Sequence, residues 1–431
     1  MNLSSRSPLW WVPSLYFAMG LPFVVLNMVS AVLYKDLGIS DAQIAFWTSL
    51  IMWPWTIKFL WSPFLELYRT KKFWVVGSQL LSGVLFGVAA LSLHLPLFFS
   101  ISVAVFAVVA FSGATHDIAA DGVYMSELSP ASQAKYIGWQ GAFYNLAKLV
   151  ATGGLVWLAG WLYEGFSTSG TASFDAYVRS WTVVLLLLCV TLVALGLYHL
   201  RALPSGGSAS EGRSLRDGLS GLKEVVGAFF QKKHIWYYLG FIILYRLGEG
   251  FVMKIVPLFL KADTASGGLG LTNQQIGLYY GTFGAGAFLL GSLLAGYYIA
   301  HRGLRRTLFI LCCIFNIPFA VYALLAWLQP QSMWIVGGGI VLEYFGYGFG
   351  FVGLTLFMMQ QVAPGRHQMA HYAFASGIMN LSVMLTGAVS GYLSDALGYG
   401  MFFLAVMLAT VPAFLVTWFV PFTYDDKPND K

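Results

Sequence analysis

Long apolar runs separated by short polar stretches set the pattern of the whole chain. Twelve runs stand out, at 9–33, 44–65, 73–93, 97–126, 136–160, 180–200, 235–260, 274–299, 306–328, 334–360, 371–394 and 400–422. Each approaches or exceeds the roughly 20 residues that a helix needs to cross a bilayer core about 30 Å thick. In hydrocarbon every backbone N–H and C=O must bond within the chain, so runs this long predict helices. The expected fold is an all-α polytopic membrane protein with twelve transmembrane helices.

Composition agrees. Of 431 residues, 58% are hydrophobic and 10% charged, against about 25% charged in soluble proteins. That excludes an ordinary cytosolic enzyme, a secreted disulfide scaffold and a disordered chain. The net charge of +6 would suggest nucleic acid in a soluble protein, but here membrane topology explains it. Lys and Arg gather in alternate loops. One side holds 17 of them: Arg6, Arg69, Lys71, Lys72, Lys135, Arg201, Arg213, Arg216, Lys223, Lys232, Lys233, Arg302, Arg305, Arg306, Arg366, Lys427 and Lys431. The other side holds Lys35, Arg179 and Lys261, and four more lie inside runs. Both termini and the central loop are therefore expected in the cytoplasm. Arg6 precedes an apolar run without a clear cleavage site, so that run reads as a retained helix, not a signal peptide. Cys189, Cys312 and Cys313 lie inside apolar runs without metal-ligand spacing, and neither a metal nor a cofactor is expected.

The longest inner loop, 201–234, begins with the linker-like PSGGSASEG and divides the runs six and six. The expected organisation is a bundle at 1–200, a cytoplasmic linker at 201–234 and a second bundle at 235–431. An internal repeat supports it. GISDAQI at 38–44 is echoed by GLTNQQI at 270–276, each with Ser or Thr then Asp or Asn at a helix start, suited to capping it. MSELSPASQ at 125–133 is echoed by MQQVAPGRH at 359–367. Parallel six-helix repeats with a substrate site at their interface are the plan of the major facilitator superfamily. The loop GYYIAHRGLRR at 296–306 resembles that superfamily's signature, with His301 where an acid is expected. LELYRTKK at 65–72 is a more degraded counterpart, and positive-inside bias alone would also place its basic residues.

Charged groups inside runs are costly, about 2.5–3.5 kcal/mol each at a helix centre, and are functional candidates by default. They are Lys58; His116, Asp117 and Asp121; Lys148; Arg246, Glu249 and Lys254; and Glu343. Lys254 is near the outer end and suited to snorkelling. Asp117 and Asp121 are four apart and share a helix face. Two ionised acids there repel, so one is expected to be protonated or paired with a cation. This suits a proton site, with a structural ion-pair network through Lys58 or Arg246 as the competing reading. Arg246 and Glu249, three apart, can neutralise each other along one helix. His116 fits either titration near neutral pH or a hydrogen-bonded neutral ring.

Lys58 follows Pro54 in WPWTIKFLWSP, where a break opens backbone groups towards a substrate or merely kinks the helix. The tryptophans at 47, 53, 55, 61, 157 and 161 read mainly as interfacial or lipid-facing anchors. Trp139 and Tyr144, in YIGWQGAFYNLAK, are pocket candidates. GTFGAGAFLLG at 281–291 and EYFGYGFGFVG at 343–353 suit close helix approach.

Five stretches carry a family resemblance: FAMGLPF at 17–23, KFLWSPFLE at 58–66, ATHDIAADG at 114–122, LYRLGEGF at 244–251 and EYFG from Glu343. Together they resemble the peptide and acetyl-coenzyme A transporter family of the major facilitator superfamily, which includes the AmpG muropeptide permeases. The chain departs from it in carrying His116 where the family usually has Gln, and in stopping after twelve runs. At the place resembling a family Arg it has Asn145, with Lys148 one turn later. The resemblance implies import across a bacterial inner membrane, driven by protons. Relatives carry muropeptides, acyl-coenzyme A and siderophores, so the cargo stays open.

The expected function is secondary active symport of an anionic, muropeptide-like sugar-peptide. Lys58, Arg246 and Lys148 would hold its carboxylates, and Trp139, Tyr144 and Asn145 its sugar. Asp117, Asp121, Glu249 and Glu343 are the proton-coupling candidates. The partners are the cargo, protons and the bilayer, with no nucleic acid, and a monomer is expected. A membrane-embedded acyltransferase would need a nucleophile with a base or a metal set, and the seven His and three Cys form no such cluster. A sensor with a transporter fold would bind without accumulating. The 17-to-3 bias makes a first prediction. A cysteine placed at Ser208 should resist an impermeant thiol reagent added to intact cells, whereas efficient labelling would reverse the orientation.

Overall fold

The structure is a computed structural model and describes residues 7–39, 41–207, 215–271 and 273–424. Among them there is helix and no strand. Nine helices there are long and apolar enough to cross a membrane. The expected runs that fall short of that criterion do so for identifiable reasons. Run 44–65 is not one helix but four short pieces, and run 235–260 is split at Arg246. Runs 371–394 and 400–422 merge into one helical stretch, Gln368–Trp418, interrupted only at Gly398, whose φ of 71° is non-helical. Ser40 and Thr272, the proposed capping residues of the repeat, lie outside the described residues, as do Arg6, Arg213, Lys427 and Lys431.

The chain divides into two compact units, Met1–Glu127 with Phe143–Leu222, and Leu128–Ala142 with Lys223–Lys431. The first unit holds α1 (Pro8–Asp36), the four-piece α2 (Asp41–Ile51, Trp53–Ile57, Lys58–Leu60, Ser62–Leu67), α3 (Lys71–Ser92) and α4 (Phe98–Glu127). It also holds the later part of α5 (Pro130–Thr168) and all of α6 (Ser173–Ala202). Pro54 and Pro63 each open a piece of α2. A proline lacks the N–H of a helical bond and clashes with the preceding turn, so the helix must restart there. Thr70 caps α3, its hydroxyl accepting from the Phe73 N–H at 3.2 Å. Phe86, Phe106 and Trp181 are fully buried in the unit's core. Trp157 and Trp161 are exposed as expected of lipid-facing anchors, but Trp55 is buried. It fills the space left by Gly113, where a Cβ would come within 2.7 Å of its ring.

The expected linker is more structured than its opening suggests. It contains α7 (Leu215–Phe230), whose later part packs in the second unit. Phe229 stacks on Phe374 with ring centroids 5.0 Å apart, and His371 bonds the Val225 carbonyl at 3.1 Å. Just beyond α7, Lys232 Nζ donates to the carbonyls of Val362, Ala363 and Pro364 at 2.6, 3.0 and 2.7 Å. Carbonyls at a helix end have no partner in their own helix, so the lysine completes it.

Besides the start of α5 and the later part of α7, the second unit holds the broken α8 (Ile235–Tyr245, Leu247–Lys261), α9 (Gly277–Arg302), α10 (Leu304–Leu328), α11 (Met333–Val362) and α12 (Gln368–Trp418). The glycine-rich stretches sit where α9 and α10 press on α11. A Cβ on Gly348 would overlap the Phe288 carbonyl, and one on Gly350 would overlap Phe315 and the Leu311 carbonyl. With backbone as the neighbour, nothing can rotate away. Gly350→Val should therefore lower the melting temperature in detergent by an amount equivalent to about 1–3 kcal/mol. Gly286→Ala, which meets nothing within 4 Å, should leave it unchanged. Equal effects would mean that these helices are not in close contact.

Candidate functional site

In the first unit the break in α2 places Lys58 in a short 3-10 turn. Its ammonium lies 3.8 Å from Asp117 Oδ2 on α4, with both side chains under 10% exposed. One turn on, Asp121 accepts a hydrogen bond from the Tyr16 hydroxyl at 2.9 Å. The helix-4 acids thus share a face as the spacing predicted, and the cation beside Asp117 is Lys58. His116, beside Asp117, is buried with neither ring nitrogen bonded, and Asp117 Oδ1 and Trp55 Nε1 are buried without a bond as well. His199, also buried, contrasts with it. Its Nδ1 meets Gln79 Oε1 at 2.8 Å and its Nε2 meets Ser14 Oγ at 3.0 Å. An amide oxygen only accepts, so the proton is on Nδ1 and the serine donates to Nε2.

Lys148 is half-buried on α5, just before a π-helical segment at Val150–Leu155. Among the described residues no carboxylate is within ion-pair range of it. Tyr144, one turn earlier, packs on Phe23 at 6.2 Å, and Asn145 is half-buried beside it. Trp139 is on the same helix but in the stretch that clusters with the second unit, where its indole N–H donates to the Tyr297 hydroxyl at 3.2 Å.

In the second unit α8 breaks at Arg246. The guanidinium turns onto Glu249 in a two-pronged bond, Nε to Oε2 and Nη2 to Oε1, both 2.5 Å. It also lies over the Phe351 ring at 5.1 Å. This is the self-neutralising pair along one helix. Glu343 on α11 is held separately, accepting from the Tyr322 hydroxyl at 2.8 Å. The side chain of Lys254 lies outside the described residues. A recess of about 310 Å³ between α2 and α4 is lined by Trp47, Leu50, Phe99 and Val103. None of the charged candidates lines it.

Sequence reasoning missed both tyrosines that hold acids. Tyr16 and Tyr322 sit inside apolar runs among many other aromatics, and no spacing distinguishes a hydroxyl that meets an acid from one that packs.

The family described as Major Facilitator Superfamily matches residues 14–361 and 242–431. The anhydromuropeptide permease of Escherichia coli K12 is 26% identical over 416 residues, 93% of this chain and 77% of that protein. A putative transporter AmpG 2 of Rickettsia bellii is 24% identical over 195 residues, 44% of this chain and 46% of that protein. Among solved structures, FucP, a Major Facilitator Superfamily transporter in the outward conformation, superposes with a TM-score of 0.69 at 14% identity. That match covers 96% of this chain and 98% of the other.

The Arg246–Glu249 bond has a direct consequence. Removing one member of a buried pair strands the other, at about 3–5 kcal/mol. Glu249→Gln should lower the melting temperature in detergent more than the double substitution Arg246→Met with Glu249→Gln. If the effects of the two single substitutions simply add, the pair is not coupled.

Proposed function

The chain belongs to the Major Facilitator Superfamily, and from that premise we propose that it imports an anionic, muropeptide-like sugar-peptide across a bacterial inner membrane by proton symport. Its matches are permeases and transporters, and the chain is a transporter, not an enzyme. The cargo class is supported by the similarity to an anhydromuropeptide permease over nearly the whole chain. The observation that carries the reading is Lys148. A cation within a membrane helix that has no counter-ion among the described residues is costly unless an anion arrives to meet it.

Lys58 and Arg246 differ from it, since each already faces an acid. A cargo carboxylate would have to exchange with Asp117 or Glu249 to reach them. Tyr144, Asn145 and Trp139 offer the apolar faces and amide that a sugar contacts. Asp117, Asp121, Glu249 and Glu343 are the acids available to carry protons. Twelve spans in two six-helix bundles joined by 201–234, both termini in the cytoplasm and function as a monomer complete the proposal. The repeat and the 17-to-3 bias of Lys and Arg support its topology.

Uptake of labelled anhydromuropeptide into vesicles containing the purified protein tests it. Lys148→Met should raise the half-saturating concentration about tenfold or more, the scale of a lost bond to a charged group of about 1.5–3 kcal/mol. Lys148→Arg should retain most of the affinity. Uptake of a siderophore or an acyl-coenzyme A, with none of the muropeptide, would replace the cargo assignment.

A further inference from the structure

Among its described side chains the second unit has one buried lysine or arginine, Arg246, and two buried acids, Glu249 and Glu343, and only one of the acids is used up. Arg246 commits two N–H groups to both oxygens of Glu249, and together they are electrically neutral. Glu343 has no such partner. It is 5% exposed, and no lysine, arginine or histidine forms an ion pair with it among the described residues. Its bond from Tyr322 comes from a neutral hydroxyl, and Tyr322 itself is fully buried in α10. The other titratable groups that act on this acid or are acted on by it are Glu249 from α8, Tyr280 from α9, and Tyr344 and Tyr347 from its own helix. All of these are neutral or negative. The buried cation described in this unit, Arg246, is already committed to Glu249.

An ionised carboxylate in such a place is uncompensated in a medium of low dielectric. The ordinary resolution is to neutralise it by binding a proton. We propose that Glu343, positioned by Tyr322, is the proton-binding acid of the second unit. The proton comes from water on one side of the membrane, is held as the neutral acid with the tyrosine hydroxyl on its carbonyl oxygen, and leaves to water on the other.

The arrangement also links the proton to the cargo, a step that rests on the transport reading above. A cargo carboxylate that takes the Arg246 guanidinium releases Glu249 as a second negative charge acting on Glu343. A second negative charge acting on an acid makes that acid hold its proton more tightly. Anion and proton therefore favour each other's binding, and linkage makes the effect reciprocal. The pair on α4 is differently placed, since Lys58 already lies at Asp117.

Infrared difference spectra of the full chain in lipid vesicles, without cargo, test the assignment as the pH is stepped across the neutral range. The wild-type protein should show a buried carboxylic-acid carbonyl band. Glu343→Gln should lose it, while Asp117→Asn and Asp121→Asn keep it. Tyr322→Phe, which removes only the hydroxyl, should move the band to higher frequency because the carbonyl loses its donor. If Glu343→Gln fails to fold, the shift in Tyr322→Phe decides alone. A band that survives Glu343→Gln, or one that Tyr322→Phe leaves in place, overturns the proposal. In transport, Glu343→Gln should keep counterflow exchange of anhydromuropeptide yet lose accumulation driven by a pH gradient by about tenfold or more. Loss of both together, or of neither, counts against Glu343 as the coupling acid. Failure of the wild-type protein to move the muropeptide would refute the cargo reading alone, since the infrared band still reports on Glu343.

Discussion

Absence of water from the bilayer core governs this protein. Every backbone group in the hydrocarbon must bond within the chain, and every charge must meet an opposite charge, bind a proton or wait for a ligand. The first demand makes the chain helical. The second sorts its ionisable residues into those that are settled and those that are not. Lys58 is settled by Asp117, and Arg246 by Glu249. Both cations sit at interruptions, Lys58 in the 3-10 turn of α2 and Arg246 at the break in α8. A broken helix frees backbone polar groups at the same depth as the charge, and irregular backbone is tolerated there only within protein or against a water-filled cavity.

The two units meet the same demand by different geometry. In the first, a cation on α2 reaches an acid on α4. In the second, cation and acid lie three residues apart on one helix. The residues left over differ in sign. Among the described residues Lys148 is a cation without a carboxylate in ion-pair range, and Glu343, like Asp121 in the first unit, is an acid that accepts from a neutral tyrosine hydroxyl. An anion answers the first and a proton the second. An anionic cargo moved together with a proton is what such a pair of leftovers calls for, which gives the proposed symport a physical basis independent of resemblance.

Small residues let these charges be held firmly. With lipid as apolar as leucine, helices associate through packing and not through exclusion of water. Gly348 and Gly350 bring α11, the helix that carries Glu343, against the backbones of α9 and α10. Gly113 admits Trp55 beside Asp117 in the same way. A side chain added at either place would move the helix that positions an acid.

Hydrophobic run length alone specified a helical membrane protein, because a continuous apolar run of about 20 residues satisfies its own backbone in lipid only as a helix, a barrel strand being about half as long. The residues out of place in lipid were equally readable from the chain: Lys58, Asp117, Asp121, Lys148, Arg246, Glu249 and Glu343 stand out by type. The i, i+3 spacing of Arg246 and Glu249 even named one pair, since neighbours on a helix surface need no tertiary information to meet. Pro54 and Pro63 likewise marked the breaks of α2 from within the chain, whereas the burial of Trp55 and the tyrosine partners of Asp121 and Glu343 were decided by the tertiary structure. Each depends on a residue distant in the sequence: Tyr16 is 105 positions from Asp121, and Tyr322 lies on a different helix from Glu343. Periodicity reports which way a side chain faces along its own helix. Only the packing of one helix on another determines what it faces, and so which charge is neutralised and which remains available.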